Sequence, residues 1–251
     1  MVSGKQAASR PGIFGALVQK FFANVAKSPG LLACCLFPAL FLLVFRFVVI
    51  EPVAHDDARM FLLVTGMLFS TSMVPGTTTV YPMAEAREKR TLRTMELAGV
   101  GRAQMVAAHG VVSTLWTALV AAACFLVSGA PFDCMLPFML VTVATSIPLT
   151  ALSLVLGLAS RNQMAASFSS LPIVTIGIVP LFFLYAEPAF QALPLLPTGG
   201  GLALVYALAE GTLLSPASIL PAVGQLTWIV ASLVALAVAA PRIPGEAGGR
   251  G

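Results

Sequence analysis

Six apolar runs of about twenty residues or more dominate this chain and leave few folds open to it. They lie at 31–50, 60–83, 106–129, 134–158, 165–185 and 222–240. The first, LLACCLFPALFLLVFRFVVI, holds one charged residue, Arg46, near its end. At about 1.5 Å per residue, twenty helical residues cross the roughly 30 Å hydrocarbon layer of a bilayer. Inside that layer every backbone N–H and C=O must find a partner within the protein, so each run is expected to be a helix. Charged residues make up 10% of the chain and hydrophobic ones 58%, whereas a soluble domain carries about 25% charged. The expected fold is an all-α polytopic membrane protein, a single transmembrane domain over residues 1–251.

The remaining segments are read by what interrupts the apolar runs. Residues 1–12 are small and polar and read as a flexible tail. Residues 13–28 place Ile13, Phe14, Leu17, Phe21 and Val25 on one side and Gln19, Lys20, Asn24 and Lys27 on the other. That is an amphipathic helix suited to the headgroup layer, its lysines toward anionic lipid. A signal peptide fits less well, because polar residues break its apolar core. Arg46 reads as a snorkelling side chain near Glu51. His55, Asp56 and Asp57 supply too few ligands to expect a metal, and a solvated loop is the simpler reading. The four cysteines (34, 35, 124 and 134) sit in or beside apolar runs with no CxxC spacing, which suits packing.

The one densely charged stretch is 83–105, MAEAREKRTLRTMELAGVGRAQM, with 84–105 as the connecting loop. Leu92, Met95 and Val100 interrupt the charges at helical spacing, giving a surface helix with one apolar side. Glu85 and Lys89 stand four apart in the order that supports a helix, and Gly99 and Gly101 end it. Residues 186–221 break the pattern again, with several prolines, Gly199–Gly201 and no Lys or Arg. The apolar piece LALVYALA is too short to span, so short helices dipping into the outer leaflet and returning are expected.

Basic residues fix the expected orientation. With the N-terminus inside, Lys5, Arg10, Lys20, Lys27, Arg87, Lys89, Arg90, Arg93, Arg102, Arg161, Arg242 and Arg250 all fall on the cytoplasmic side, and Arg46 and Arg59 do not. Both termini and the charged loop are then cytoplasmic, which requires an even number of spans.

Catalytic chemistry is not expected. The chain has no GxxxxGK[ST] phosphate loop, no HExxH and no GxSxG, so no catalytic, metal or cofactor residue is assigned. The middle of every span lacks ionisable side chains, which disfavours a proton relay. Nothing points to nucleic acid.

The charged loop resembles that of the ABC-2-type permeases, the membrane subunits of ATP-binding-cassette exporters. Their loop commonly reads E-x-E-x-G-T-L-E-x-L-x-x-T-P-V-S-R-x-E-x-x-x-G-K, and residues 85–109 here read EAREKRTLRTMELAGVGRAQMVAAH. Glu85 and Glu88 stand for the acidic pair with one extra residue between them. Thr91 and Leu92 match T-L, Val100 the V, Arg102 the R and Gln104 the acidic position after it. Arg90 replaces a Gly, and Ala108–His109 replaces Gly–Lys.

The resemblance implies an exporter half with the amphipathic helix, six spans and a cytoplasmic coupling helix between spans two and three. Two permeases, alike or different, would pair in a bacterial cytoplasmic membrane. Each would seat its loop on a separate ATPase that holds ATP and magnesium. Glu85, Glu88, Arg90 and Arg93 would set register by charge, Leu92 and Met95 would supply buried contact, and Thr91 and Arg102 belong to the same surface. The second and fifth spans would line the path through Ser70, Thr71, Thr77, Thr78, Ser169, Ser170 and Thr175. An uncharged path suits an amphiphilic cargo such as a drug, a lipid-like molecule or an antimicrobial peptide. The alternative is an ion-gradient-driven secondary carrier or channel, which predicts flux without ATP.

Overall fold

A computed structural model describes residues 10–50, 56–160, 162–183 and 192–242. His55, Glu51, Arg161 and 184–191 therefore lie outside the described residues, as do residues 1–9 and 243–251. The described residues form helices joined by short turns, with no strand among them. Six helical stretches are long and apolar enough to cross a membrane: Pro29–Val48, Arg59–Glu88, Arg102–Ser128, Phe132–Ala159, Gln163–Phe183 and Pro216–Ala240.

Helix α1 (Arg10–Lys27) ends at Ser28, and α2 (Pro29–Phe45) starts on a proline whose missing N–H costs nothing at a first turn. Leu17, Phe21 and Val25 of α1 are buried with Cys35 and Leu42 of α2 and Val112, Trp116 and Val120 of α6 (Arg102–Ser128). The apolar side of α1 thus packs on the bundle, where the sequence suggested lipid headgroups. Past α2 the backbone widens into a π-turn, Arg46–Ile50. Arg46 donates from Nη1 to the Val127 carbonyl in the last turn of α6. A cation at the carbonyl end of a helix is favourably placed, and this contact joins the first span to the third.

The second span is one continuous helical rod: α3 (Asp56–Pro75), a π-turn (Gly76–Val80) and α4 (Tyr81–Glu88). It runs five residues beyond the expected end at Met83. Proline removes a ladder bond and crowds the carbonyl four residues back; here the widened turn lies between Pro75 and Pro82 and the chain stays helical. Thr77, Thr78 and Thr79 donate their hydroxyls to the Met73, Val74 and Pro75 carbonyls at 2.8, 2.8 and 2.5 Å. This rod is the centre of the bundle. Of its most apolar 18 residues 78% are buried, against 17% for the first span and 11% for the last.

Helix α5 (Thr91–Leu97) follows, then α6, the short turn at 129–131 and α7 (Met135–Ala159). Phe125 and Phe138 meet across this hairpin, their ring centroids 5.3 Å apart. The fifth span is α8 (Gln163–Ile178), broken at Val179 before α9 (Pro180–Phe183). Helix α10 (Gly199–Ala209) is 11 residues long, about 16 Å and short of a full crossing. Leu202 and Val205 of α10 are fully buried with Leu193, Phe138 and Val64, so this segment is tucked into the bundle. Its three glycines make that possible. A Cβ on Gly199 would lie 1.8 Å from the Leu193 carbonyl oxygen, and one on Gly201 would lie 1.9 Å from Thr145 Oγ1. Helix α11 (Ile219–Arg242) closes the fold against α7.

Charge separates along the bundle axis. Lys20, Lys27, Glu85 and Lys89 line one cleft, Arg87 and Glu88 reach the α7–α8 turn, and Arg102 reaches Ala240, all at one end. Arg46 beside Val127 and Arg59 beside Ala130 mark the other. Between the ends, the outward faces carry exposed Leu40, Val44, Phe168, Leu171, Val230 and Leu233, the surface a lipid environment accepts.

Candidate functional site

The charged connection is two helices with a corner, where the sequence suggested one. Glu85 and Lys89 pair at 2.5 Å on the last turn of α4, and this bond raises the Lys89 pKa above its usual value. The helix cannot continue, because Arg90 adopts φ 56°, the left-handed region. The Thr91 hydroxyl bridges the corner by donating to the Ala86 carbonyl at 2.9 Å. Helix α5 runs only to Leu97, and Gly99 at φ 86° turns the chain where an L side chain would be strained. Gly101 N–H then donates to Gln104 Oε1 at 3.3 Å at the start of α6.

Two adjacent side chains fasten this corner to the rest of the bundle. Arg87 Nη1 donates to the Leu158 carbonyl at 2.6 Å and to the Ser160 carbonyl at 3.4 Å, at the carbonyl end of α7. Glu88 Oε2 accepts from the Gln163 N–H at 3.1 Å, at the amide end of α8. Each charge meets the helix pole of opposite sign. Asn162 caps the same helix, its Oδ1 accepting from the Ala165 N–H at 2.8 Å. Arg87 was not among the site residues singled out in the sequence. The signal available was the run Ser-Arg-Asn-Gln after an apolar block, which places an N-cap at Asn162.

The other expected coupling residues separate. Met95 is half-buried and packs with Val100 on the cluster shared by α1 and α6, so its contact is internal. The side chains of Leu92 and Arg93 lie outside the described part of the structure. Arg90 and Thr91 are exposed at the corner. Arg102 sits apart, donating to the Ala240 carbonyl of α11 at 3.5 Å. Among the described side chains of α5, the large apolar one on the outside is Leu97, 81% exposed.

A polar cleft of about 430 Å³ separates α1 from the corner. Lys20, Asn24 and Lys27 recur at helical spacing along one side of α1 and face Glu85, Lys89 and Thr91 across it. His109 forms part of its wall, 3% exposed and stacked on Phe21 with ring centroids 3.9 Å apart. The lysines expected to face lipid thus line a protein cleft.

The expected path residues meet inside the helix bundle. Ser70 and Thr71 are fully buried and donate to the Met67 carbonyl at 3.0 and 2.8 Å; Thr77 and Thr78 bond backward in the same way. Ser170 donates to the Ser167 carbonyl and half-buried Ser169 to the Ala165 carbonyl, both at 2.8 Å, while Thr175 is exposed. The second and fifth spans touch through small residues. A Cβ on Gly177 would lie 2.0 Å from Ser72 Oγ, and one on Gly76 would lie 3.8 Å from the Ser170 Cβ. Close backbone approach through small side chains is the usual basis of helix association in a membrane. Among the described residues, no group of three His, Cys, Asp or Glu side chains converges.

No protein-family model matches this sequence, and no curated protein matches it.

Proposed function

We propose that the chain is the membrane subunit of an ATP-driven exporter of the ABC-2 type, working with a separate ATPase and a second permease. The observation that carries this reading is the α4–α5 corner. It projects from the central rod of the bundle, and Arg87 and Glu88 tie it to the ends of two further spans. A push on α5 would therefore move the second, fourth and fifth spans as one body, which is what a subunit driven from outside the membrane needs. Exposed Arg90, Thr91 and Leu97 give the corner both a charged and an apolar contact surface. The basic asymmetry of the sequence supports a cytoplasmic position for this end, where an ATPase would reside.

The cargo in this reading is amphiphilic, a drug, a lipid-like molecule or a peptide. Its path runs between two copies, beside the exposed side of the fifth span that carries Thr175. The test is transport in proteoliposomes holding the chain with its co-encoded ATPase. Export should require ATP and should vanish when α5 is replaced by a Gly-Ser linker. Flux that continues without ATP and follows an ion gradient would overturn this reading in favour of a secondary carrier.

A further inference from the structure

Helices α6 and α11 both pack along α7 but have little contact with each other. The gap between them is a crevice of about 770 Å³ with α7 as its floor. Its depth comes from small residues, Ala107 and Gly110 on α6, Ala151 on α7 and Ala237 on α11, with Leu154 and Leu236 beside them. The hydroxyls on its wall are already engaged: Thr114 donates to the Gly110 carbonyl at 3.0 Å, and Thr150 lies 3.4 Å from Ser113 Oγ. Among the described residues, Arg102 is the one ionisable residue lining it.

Length and charge together identify what fits. On α6 the crevice extends from Arg102 to Leu115, thirteen residue-to-residue steps and so about 20 Å of helix. Half of a bilayer's hydrocarbon core is about 15 Å, and its polar interface adds several more. The crevice therefore starts at headgroup level, on the charged end of the bundle, and stops near the midplane. Arg102 stands at the headgroup level, held by its bond to the Ala240 carbonyl across the end of the crevice. Guanidinium pairs with phosphate through parallel N–H donors, and more strongly where little water reaches.

We infer that this crevice between α6, α7 and α11 seats one acyl chain of an anionic phospholipid from the leaflet on the charged side, with the headgroup phosphate on Arg102. The site does not depend on the exporter reading and would serve a carrier equally well.

The full chain is reconstituted in nanodiscs of equal parts phosphatidylglycerol and phosphatidylcholine, with a trace of either lipid bearing an acyl diazirine. After photolysis the labelled peptides are mapped by mass spectrometry. The phosphatidylglycerol probe should label 102–115 and 233–240 at least about fivefold more than the phosphatidylcholine probe, the ratio a charge-assisted contact supports. Arg102→Gln should bring that ratio close to one. Ala107→Phe and Ala237→Phe, both at exposed positions, should remove labelling by both probes without altering the elution profile. No label in these segments, equal labelling by the two lipids, or a ratio unchanged in Arg102→Gln would overturn the inference. So would disulfide-linked dimers formed through Ala107→Cys, which would show a second copy covering this face.

Discussion

Glu88 Oε2 accepts a hydrogen bond from the Gln163 backbone N–H at 3.1 Å, across 75 positions of sequence. A carboxylate on the end of the second span thus fills one of the vacant amides at the start of the fifth. Gln163 is the first residue of α8, and Asn162 before it is extended at φ −151°, ψ 173°. Proline is tolerated at a first helical position, and an extended residue suits the place before it. Gln163→Pro therefore removes the donor and leaves the helix start intact. Each of Glu88→Ala and Gln163→Pro should cost about 0.5–1 kcal/mol, the usual worth of a charge at a helix terminus. The pair together should cost little more than either alone. Thermal unfolding in mild detergent reads this cycle, and full additivity would show that the two groups do not interact.

Arg87 is the heavier of the two fasteners. It is partly buried and serves two carbonyls of the α7 end. Hydrogen bonds to charged groups are worth about 1.5–3 kcal/mol, so Arg87→Met should lower stability by about that amount. Arg87→Lys should recover part of it, since an ammonium keeps the charge near the two carbonyls that Nη1 serves but is more strongly hydrated and sits on a different stem. Equal melting temperatures for the Met and Lys variants would argue against the carbonyl contacts.

Gly177 and Ser72 set how closely the second and fifth spans approach. A methyl at Gly177 would lie 2.0 Å from Ser72 Oγ and 2.9 Å from Leu149 Cδ1. Gly177→Ala should destabilise by about 1–3 kcal/mol, as overpacking does. Ser72→Gly in the same chain should restore part of the loss. Gly30 has nothing within 4 Å of its built Cβ, so Gly30→Ala in α2 should be neutral or slightly stabilising through helix propensity. The comparison is made by melting under one detergent, and a tolerated Gly177→Ala would mean the two spans are less tightly joined than described.

What could be read from the sequence follows from which forces are local. The spans were legible because a twenty-residue apolar run has one stable outcome in lipid. Lys89 and Glu85 were legible because a four-residue spacing fixes their neighbourhood on a helix. Other features depend on distant partners. Pro75 and Pro82 gave no sign of the π-turn through which the rod stays helical to Glu88. The left-handed Arg90 left no signal, since arginine is an unusual choice for that conformation. Gly199–Gly201 looked like a break, yet they open a helix, and their missing side chains let it lie against Thr145 and Leu193. The family resemblance gave Met95 a partner contact, while the helical pattern left its direction open. Its inward direction was set by α1, some seventy positions away in sequence.

Leu97 and Met95 give the sharpest test of the proposed coupling surface. Both are apolar residues of α5, yet Leu97 is 81% exposed while Met95 packs on the α1–α6 cluster. A leucine that becomes fully buried in a partner's groove is worth about 1.5–3 kcal/mol, or roughly 10–100-fold in affinity. Leu97→Asp should therefore leave the melting temperature unchanged and weaken binding of the ATPase that the proposed function requires by that factor. Met95→Asp should act in the opposite order, lowering the melting temperature first because it places a charge against an apolar cluster. Both quantities come from one set of samples, binding by interferometry on nanodiscs and melting by intrinsic fluorescence. An ATPase that binds Leu97→Asp as tightly as the original chain would remove the outward face of α5 from the contact. If Met95→Asp lost the ATPase with its fold intact, the inward face of α5 would have to open toward the partner, which the packing against α1 opposes.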